Sequence, residues 1–197
     1  MAEINAQQVK MLRDATRAPM MDCRKALEEC GGDVEKAKDW LRKKAKVKAA
    51  DMSDRVAAEG RVFSYVHHTK KIGVLLEAGC ESDFVAASED FNTVFQDICL
   101  HIAANTNCRF LDRSDVPAER VEREKAIFEE EMKNIPAEKR EKVLQGKIDN
   151  FFKSCVLLEQ PFIKDDSKTV REAIQEKAGL LQENVTIRRF ARFEVGL

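Results

Sequence analysis

The sequence predicts an α+β fold: a three-helix module at the amino end, then an antiparallel sheet covered by helices. Helix start and stop residues recur at short intervals before residue 44. β-type patterns occupy residues 61–79 and 185–195, and helical periodicity fills the stretch between them. Strands at both ends of a segment with helices between them favour an antiparallel sheet with one covered face.

The first three helices are predicted from their end residues. Asn5 is suited to cap the first helix, with Gln8 in the capping-box position three residues later. Pro19 ends that helix and starts the second, which stops at Gly31-Gly32. Asp33 then caps the third. Three helices of this size suffice for a compact module of about 40–45 residues.

Composition changes after this module. We expect a three-helix module over residues 1–44, a basic linker or an exposed helix over 45–55, and an α+β core over 56–197. The middle segment is rich in lysine and alanine and has few bulky apolar residues, which is typical of an exposed connection.

The β-type patterns predict a hairpin and one further strand. Residues 61–68 are rich in β-branched and aromatic side chains, 69–71 form a short polar turn, and 72–79 alternate. A last strand is expected over 185–195.

The helices of the core are marked by proline and by apolar spacing. An apolar stripe runs from Phe91 to Ile102, and two later helices are expected to start near Pro117 and Pro136. Gly179 is expected to stop the helix that precedes the last strand.

Composition limits the function. The 197 residues are 44% hydrophobic and 35% charged, with a net charge of -1, which argues against nucleic-acid binding through bulk charge. No apolar run is long enough to span a bilayer, and the first residues lack the layout of a signal peptide, so a cytoplasmic protein without membrane contact is expected. Without a secretion signal, the six scattered cysteines are interpreted as reduced and structural.

The most informative stretch is Glu81-Ser82-Asp83-Phe84-Val85-Ala86, where a strand pattern turns into a helix. Ser82 is suited to cap that helix. Phe84 in its first turn either points outward, as an anchor for a partner's pocket, or packs down on the sheet. Periodicity alone leaves these two alternatives open.

Covalent, metal and nucleotide chemistry are not predicted. His67-His68 near Glu77 and Cys80 could suggest a metal or nucleophile site, but adjacent residues of a strand point to opposite faces. Gly31-Gly32 lacks the Lys-Ser/Thr of a phosphate-binding loop. We therefore expect no cofactor, no metal and no nucleotide bound by this chain.

Four phrases along the chain resemble the elongation factor Ts family in the family's order. They are Met20-Met21-Asp22-Cys23-Arg24-Lys25-Ala26-Leu27, Ser82-Asp83-Phe84-Val85-Ala86, Leu157-Leu158-Glu159-Gln160-Pro161-Phe162 and the stretch from Arg188 to Gly196. The family exchanges guanine nucleotide on elongation factor Tu and begins with a module similar to a ubiquitin-associated domain. Two departures stand out: Ser82 replaces a threonine, and Arg17 follows Thr16 where the family usually has a glycine.

The resemblance assigns roles to two groups of residues. Ser82, Asp83, Phe84 and Val85 would displace magnesium in elongation factor Tu, with Phe84 entering an apolar pocket, and no covalent bond would change. Positions that match the family's partner contacts are Lys10, Arg13, Met20, Met21, Asp22 and His101. Alternatively, the methionines are core residues, the charges are merely solvated, and His101 is a satisfied histidine on a helix.

The chain is long enough for one of the two core halves found in longer family members, so it resembles the short form. Short forms are expected to supply the second half by forming a homodimer, which makes the core a dimerisation domain. The alternative function is a protein-binding module with a dimerisation core and no exchange activity.

Overall fold

The structure is a computed structural model that describes residues 4–132 and 136–196. Its α-helices are α1 (Ala6–Thr16), α2 (Met20–Glu29), α3 (Val34–Met52), α4 (Asp83–Ala87), α5 (Glu89–Ala104), α6 (Ala118–Glu131), α7 (Ala137–Cys155) and α8 (Val170–Leu181). Its strands are β1 (Glu59–Val66), β2 (Ile72–Cys80), β3 (Pro161–Phe162), β4 (Asp165–Thr169) and β5 (Thr186–Glu194), and short 3₁₀ turns lie at Arg113–Asp115 and Leu157–Glu159. The predicted α+β class is confirmed.

Contacts divide the described residues into two compact units. Unit 1 comprises the chain up to Arg61, Gly79–Val94 and Glu172–Thr186. Unit 2 comprises Val62–Ala78, Phe95–Arg171 and the chain from Ile187 onward. The division into segments at residues 44 and 55 stays a prediction.

The first three helices begin as the sequence predicts. The Asn5 side chain accepts from the N–H of Gln8 at 2.8 Å, and the Gln8 side chain accepts from the N–H of Asn5 at 3.0 Å, which completes the capping box. Pro19 precedes α2, and the Asp33 carboxylate caps α3 through the N–H of Lys36. The three helices share one buried cluster: Val9, Leu12, Cys23, Ala26, Leu27, Ala37 and Leu41.

The α1–α2 turn contains an unusual backbone conformation. Arg17 lies in the left-handed region with φ 57° and ψ 9°, and its N–H donates to the carbonyl of Arg13. Glycine adopts this conformation without steric cost, which explains why a glycine is usual at this position in the family that the sequence resembles.

Helix α3 runs as far as Met52, so most of the segment 45–55 is helical and not an extended linker. Its Ala45 lies against Gly179 of α8. A Cβ built on Gly179 would be 2.6 Å from the Cα of Ala45. The expectation that Gly179 stops α8 is therefore wrong, because the helix continues to Leu181 and the glycine serves a close helix contact.

The larger sheet has the strand order β1-β2-β5. The predicted hairpin joins β1 to β2, and its turn is closed where the N–H of His67 donates to the carbonyl of Ile72 at 2.9 Å. Val74, Leu76 and Ala78 alternate into the core of unit 2. The Phe95 ring of α5 lies 5.6 Å from that of Phe63 on β1, so a helix covers this inner face.

A second cluster in unit 2 is built around α6 and α7, whose first residues follow Pro117 and Pro136 as predicted. Its buried members are Val116, Ile148, Phe152, Cys155 and Val156. Within the described ranges, no helix is both long and apolar enough to cross a membrane.

Candidate functional site

The junction between β2 and α4 presents an acid and an aromatic ring to solvent. Ser82 caps the five-residue α4, since its hydroxyl accepts from the N–H of Val85 at 3.2 Å. Val85 is buried and anchors the helix from below. Phe84 is 82% exposed, so the outward alternative applies. Asp83 is exposed beside it, and no other described residue pairs with its carboxylate.

The loop before α4 is held by a carboxylate that the sequence did not single out. Glu183, between α8 and β5, accepts from the N–H groups of Glu81 and Ser82, both at 3.0 Å. It also accepts from the Ser82 hydroxyl at 2.5 Å. Hydrogen bonds to a charged acceptor are the stronger kind, so this contact fixes the loop.

The contact is reciprocal. The Glu81 carboxylate accepts from the N–H of Asn184 at 2.6 Å. The side-chain amide of Asn184 donates to the carbonyls of Ser53 and Arg55, at 3.1 and 2.7 Å. Two loops about a hundred residues apart are thereby tied to each other and to the end of α3. No local pattern marks Glu183 or Asn184, because their partners are distant in sequence.

Cys80 makes a further contact with the loop before α4, on its buried side. Its buried thiol donates to the carbonyl of Ser82 at 3.2 Å. Burial raises the pKa of the Cys80 thiol, and the negative charges of Glu183 and Glu59 act in the same direction. The group therefore stays protonated and remains a donor.

In the amino-terminal helices, the predicted contact residues divide into exposed and internally paired ones. Lys10 and Arg13 are exposed on α1, and Met20 and Met21 are 43% and 73% exposed at the start of α2. This excludes the core alternative for both methionines. Thioethers on a surface can adapt their shape to an apolar partner.

Asp22 is engaged within the chain. Its two carboxylate oxygens bind Lys44 at 2.6 Å and Lys48 at 3.0 Å, and the side chain is 19% exposed. Partial burial opposes ionisation, but the two lysines outweigh it and hold the pKa of Asp22 below its ordinary value. These bonds tie α2 to α3, so the structure gives Asp22 an internal role.

His101 is a core residue of unit 2. It is 1% exposed, and its Nδ1 accepts from the N–H of Ile163 at 3.2 Å. This assigns the ring proton to Nε2, which donates to the Gln160 side chain at 2.8 Å. Burial lowers the pKa of His101, although the bond to Gln160 opposes the shift. The expectation of a partner contact at His101 disagrees with this burial, and the satisfied-histidine alternative fits.

Asp90 links the α1–α2 turn to the start of α5 within unit 1. Its carboxylate accepts from Lys177 at 2.7 Å and from Arg17 at 3.1 Å. Partial burial opposes ionisation, but these two cations outweigh it and lower the pKa of Asp90. The arginine that replaces the usual glycine thus gains an ion pair.

A cavity of about 470 Å³ lies in unit 1 beside the α1–α2 turn, α3 and α8. Its lining includes Lys44, Lys48 and Lys177, which pair with Asp22 and Asp90. Because the lining also carries the carboxylates of Asp22, Glu35, Asp39 and Glu176, the cavity does not resemble a site for an anionic ligand. It does not include the exposed ring of Phe84.

The two adjacent histidines are not arranged as the sequence argument assumed. His67 and His68 follow the last residue of β1, and their rings lie 4.1 Å apart and do not point to opposite faces. The strand argument was wrong because strand alternation ends at Val66. Among the described residues, no group of three His, Cys, Asp or Glu side chains could hold a metal ion.

Comparison with known proteins decides the family. The sequence model described as "Elongation factor TS" matches residues 5–197. This chain belongs to the elongation factor Ts family.

Three relatives named elongation factor Ts illustrate the similarity. The protein of a Synechococcus sp. is 51% identical, over 98% of this chain and 76% of its own length. The protein of Desulforamulus reducens is 48% identical over 100% of this chain and 91% of its own length. The protein of Coprothermobacter proteolyticus is 46% identical over 98% of this chain and 99% of its own length. The last relative therefore matches this chain over nearly the full length of both sequences.

Of the phrases shared with the elongation factor Ts family, Ser82-Asp83-Phe84-Val85-Ala86 forms a capped turn on which the Phe84 ring is 82% exposed. The serine retains the cap that the usual threonine would provide. The exposed residues Lys10, Arg13, Met20 and Met21 also lie in unit 1, whereas His101 lies in unit 2.

Proposed function

We propose that this chain is a cytoplasmic guanine-nucleotide exchange factor that binds elongation factor Tu in its GDP form and promotes release of GDP. The observation that carries the proposal is Phe84, an 82% exposed ring on a capped, anchored turn, beside an acid that pairs with no other described residue. An exposed aromatic side chain on a rigid support is suited to enter a partner's pocket. Membership of the elongation factor Ts family supports this partner.

The mechanism needs no covalent step. A GTPase holds its nucleotide through phosphate-loop amides and a magnesium ion that bridges phosphate oxygens. Phe84 would insert into an apolar pocket of elongation factor Tu, and Asp83 would displace the magnesium ion and its supporting loop. Ser82 would keep the turn capped, and Val85 would hold it from below. The factor thereby stabilises the state in which nucleotide binds weakly.

Thermodynamic linkage gives the proposal a quantitative consequence. If this chain lowers the affinity of elongation factor Tu for GDP by some factor, GDP lowers the affinity for this chain by the same factor. The nucleotide is neither cleaved nor formed, and the released site is open to GTP.

The amino-terminal helices would provide a separate docking surface. Lys10, Arg13, Met20 and Met21 are exposed on α1 and α2, where two cations and two thioethers can meet a partner helix with acidic and apolar side chains. Asp22 would contribute indirectly, because its bonds to Lys44 and Lys48 hold α2 against α3.

A homodimer is proposed through the outer face of the β1-β2-β5 sheet. Val62, Leu75 and Phe193 are 69%, 49% and 65% exposed in unit 2. The acid on this part of β2, Glu77, is neutralised by arginines of β5. An exposed apolar face whose acid is paired with neighbouring arginines can pack against a copy of itself, as a two-fold interface requires. Light scattering at micromolar concentration should give twice the chain mass, and a monomeric mass would exclude this dimer.

The exchange function is tested by stopped-flow release of a fluorescent GDP from elongation factor Tu. Release should accelerate with the concentration of this chain and saturate. If a folded preparation gives no acceleration, the exchange proposal is wrong and the chain is a binding module with a dimerisation core.

A further inference from the structure

Helix α4 is too short to hold its own orientation. A single helical turn is unstable in isolation, because nucleation fixes several residues for one hydrogen bond. Phe84 makes little packing contact, since it is 82% exposed. The direction of its ring therefore depends on the cap at Ser82 and on the buried Val85.

The Ser82 hydroxyl connects this cap to Glu183. It donates to the Glu183 carboxylate at 2.5 Å and accepts from the N–H of Val85 at 3.2 Å. Donation to the carboxylate turns the oxygen lone pairs of Ser82 toward the helix, which is the orientation a cap needs. The same carboxylate binds the N–H groups of Glu81 and Ser82, so one side chain fixes both the backbone and the capping oxygen.

Glu183 is itself firmly placed. Its neighbour Asn184 donates its N–H to Glu81 at 2.6 Å and its side-chain amide to the carbonyls of Ser53 and Arg55. These contacts all lie within unit 1. A carboxylate held in this way can transmit the position of the α8–β5 loop to α4.

We infer that Glu183 is a positioning residue that sets the orientation of Phe84 and Asp83 for nucleotide exchange. This inference rests on the proposed exchange function and extends it to a residue outside the exposed turn. Without the carboxylate, α4 would sample several orientations, of which only a fraction would fit the partner. Docking by the amino-terminal helices would be unaffected, so the loss would fall on the maximal rate of GDP release.

The test compares Glu183→Gln with Glu176→Gln, a matched carboxylate-to-amide change on α8 that removes the ion pair with Arg42. The maximal release rate should fall about tenfold in Glu183→Gln, because hydrogen bonds to a charged acceptor are lost from the loop. The half-saturating concentration should stay unchanged. Glu176→Gln should match the wild-type protein in both quantities, and wild-type kinetics in Glu183→Gln would overturn the inference.

A double variant separates positioning from general stability. In a Phe84→Ala background, Glu183→Gln should cause a clearly smaller further loss of rate than in the wild-type background, because the ring is gone and only Asp83 remains to be oriented. A full additional loss would show that Glu183 acts by another route. If Glu183→Gln does not fold, Ser82→Ala removes the same connection from the other side. It should reproduce the loss of maximal rate, and a wild-type rate in this variant would equally overturn the inference.

The two proposals fail in different ways. If the wild-type chain does not accelerate GDP release, the exchange function is wrong. If the wild-type chain accelerates release and Phe84→Ala abolishes the acceleration while Glu183→Gln does not reduce it, only the positioning role is wrong.

Discussion

Phe84→Ala removes a ring that contributes little to the folded chain. Because Phe84 is 82% exposed, truncation uncovers almost no buried surface. Exposed substitutions away from caps and cores usually change the free energy of unfolding by less than about 0.5 kcal/mol. The cap at Ser82 and the burial of Val85 are untouched. Thermal unfolding of the variant should therefore match that of the wild-type protein.

The effect on exchange should be much larger. About four-fifths of the Phe84 surface is free to be buried by a partner, and a well-packed aromatic anchor contributes ~2–4 kcal/mol. Since each 1.36 kcal/mol corresponds to about tenfold in rate, GDP release should slow by roughly one to three orders of magnitude.

The assay is stopped-flow release of fluorescent GDP at saturating factor, with Ile127→Ala as control. Ile127 is an apolar residue of α6 that is 47% exposed and far in sequence from α4. The control should release GDP at the wild-type rate. Normal exchange by a folded Phe84→Ala protein would refute the idea that this ring enters a pocket of elongation factor Tu.

Three further predictions concern stability. Gly179→Ala should destabilise by about 1–3 kcal/mol, because overpacking against α3 at 2.6 Å outweighs the gain of about 1 kcal/mol in helix propensity. Its matched control is Gly146→Ala on α7, which should stabilise because no atom lies within 4 Å of the new methyl. Burial lowers the pKa of His101 in the folded state. Below the ordinary pKa of about 6.5, which applies to the unfolded state, the unfolded state therefore binds more protons than the folded state. As the pH falls from about 6.5 toward the lower pKa of the folded state, the free energy of unfolding should therefore decrease by at most about 1.4 kcal/mol per pH unit. The variant His101→Gln should lack this pH dependence. Arg17→Gly should raise the unfolding free energy by up to about 1 kcal/mol, because relief of the left-handed backbone exceeds the loss of a half-exposed ion pair.

Urea unfolding measures all three. A stabilising Gly179→Ala would mean that α3 and α8 separate easily. If the free energy of unfolding depends on pH in the same way for the wild-type protein and His101→Gln between pH 5.5 and 7.5, the lowered pKa of the buried ring is contradicted. A loss of more than about 1 kcal/mol in Arg17→Gly would show that the pair with Asp90 is stronger than exposed pairs usually are.

Local features of the fold were predictable because their causes are local. Asn5 and Gln8 satisfy each other's free groups within one turn, and Ser82 caps the helix that it precedes. Alternation over residues 72–79 correctly identified β2. Each of these signals is contained in a few consecutive residues.

The errors arose where a distant residue decided the outcome. Gly179 was expected to end a helix, as glycine often does, but Ala45 of another helix requires the missing side chain. Asp22 and His101 matched contact positions of the family, yet partners far along the chain engage them. Nothing in the neighbouring residues indicates such pairing.

By itself, the sequence determined the α+β class, the helix boundaries set by caps and prolines, and the family signature around Phe84. The tertiary structure decided whether Phe84 points outward and what holds it there. That choice depends on Glu183 and Asn184, about a hundred residues away, whose hydrogen bonds form only after the chain brings the two loops together. The periodicity of a strand or helix records which face is apolar, but it does not specify the polar groups that meet across the fold.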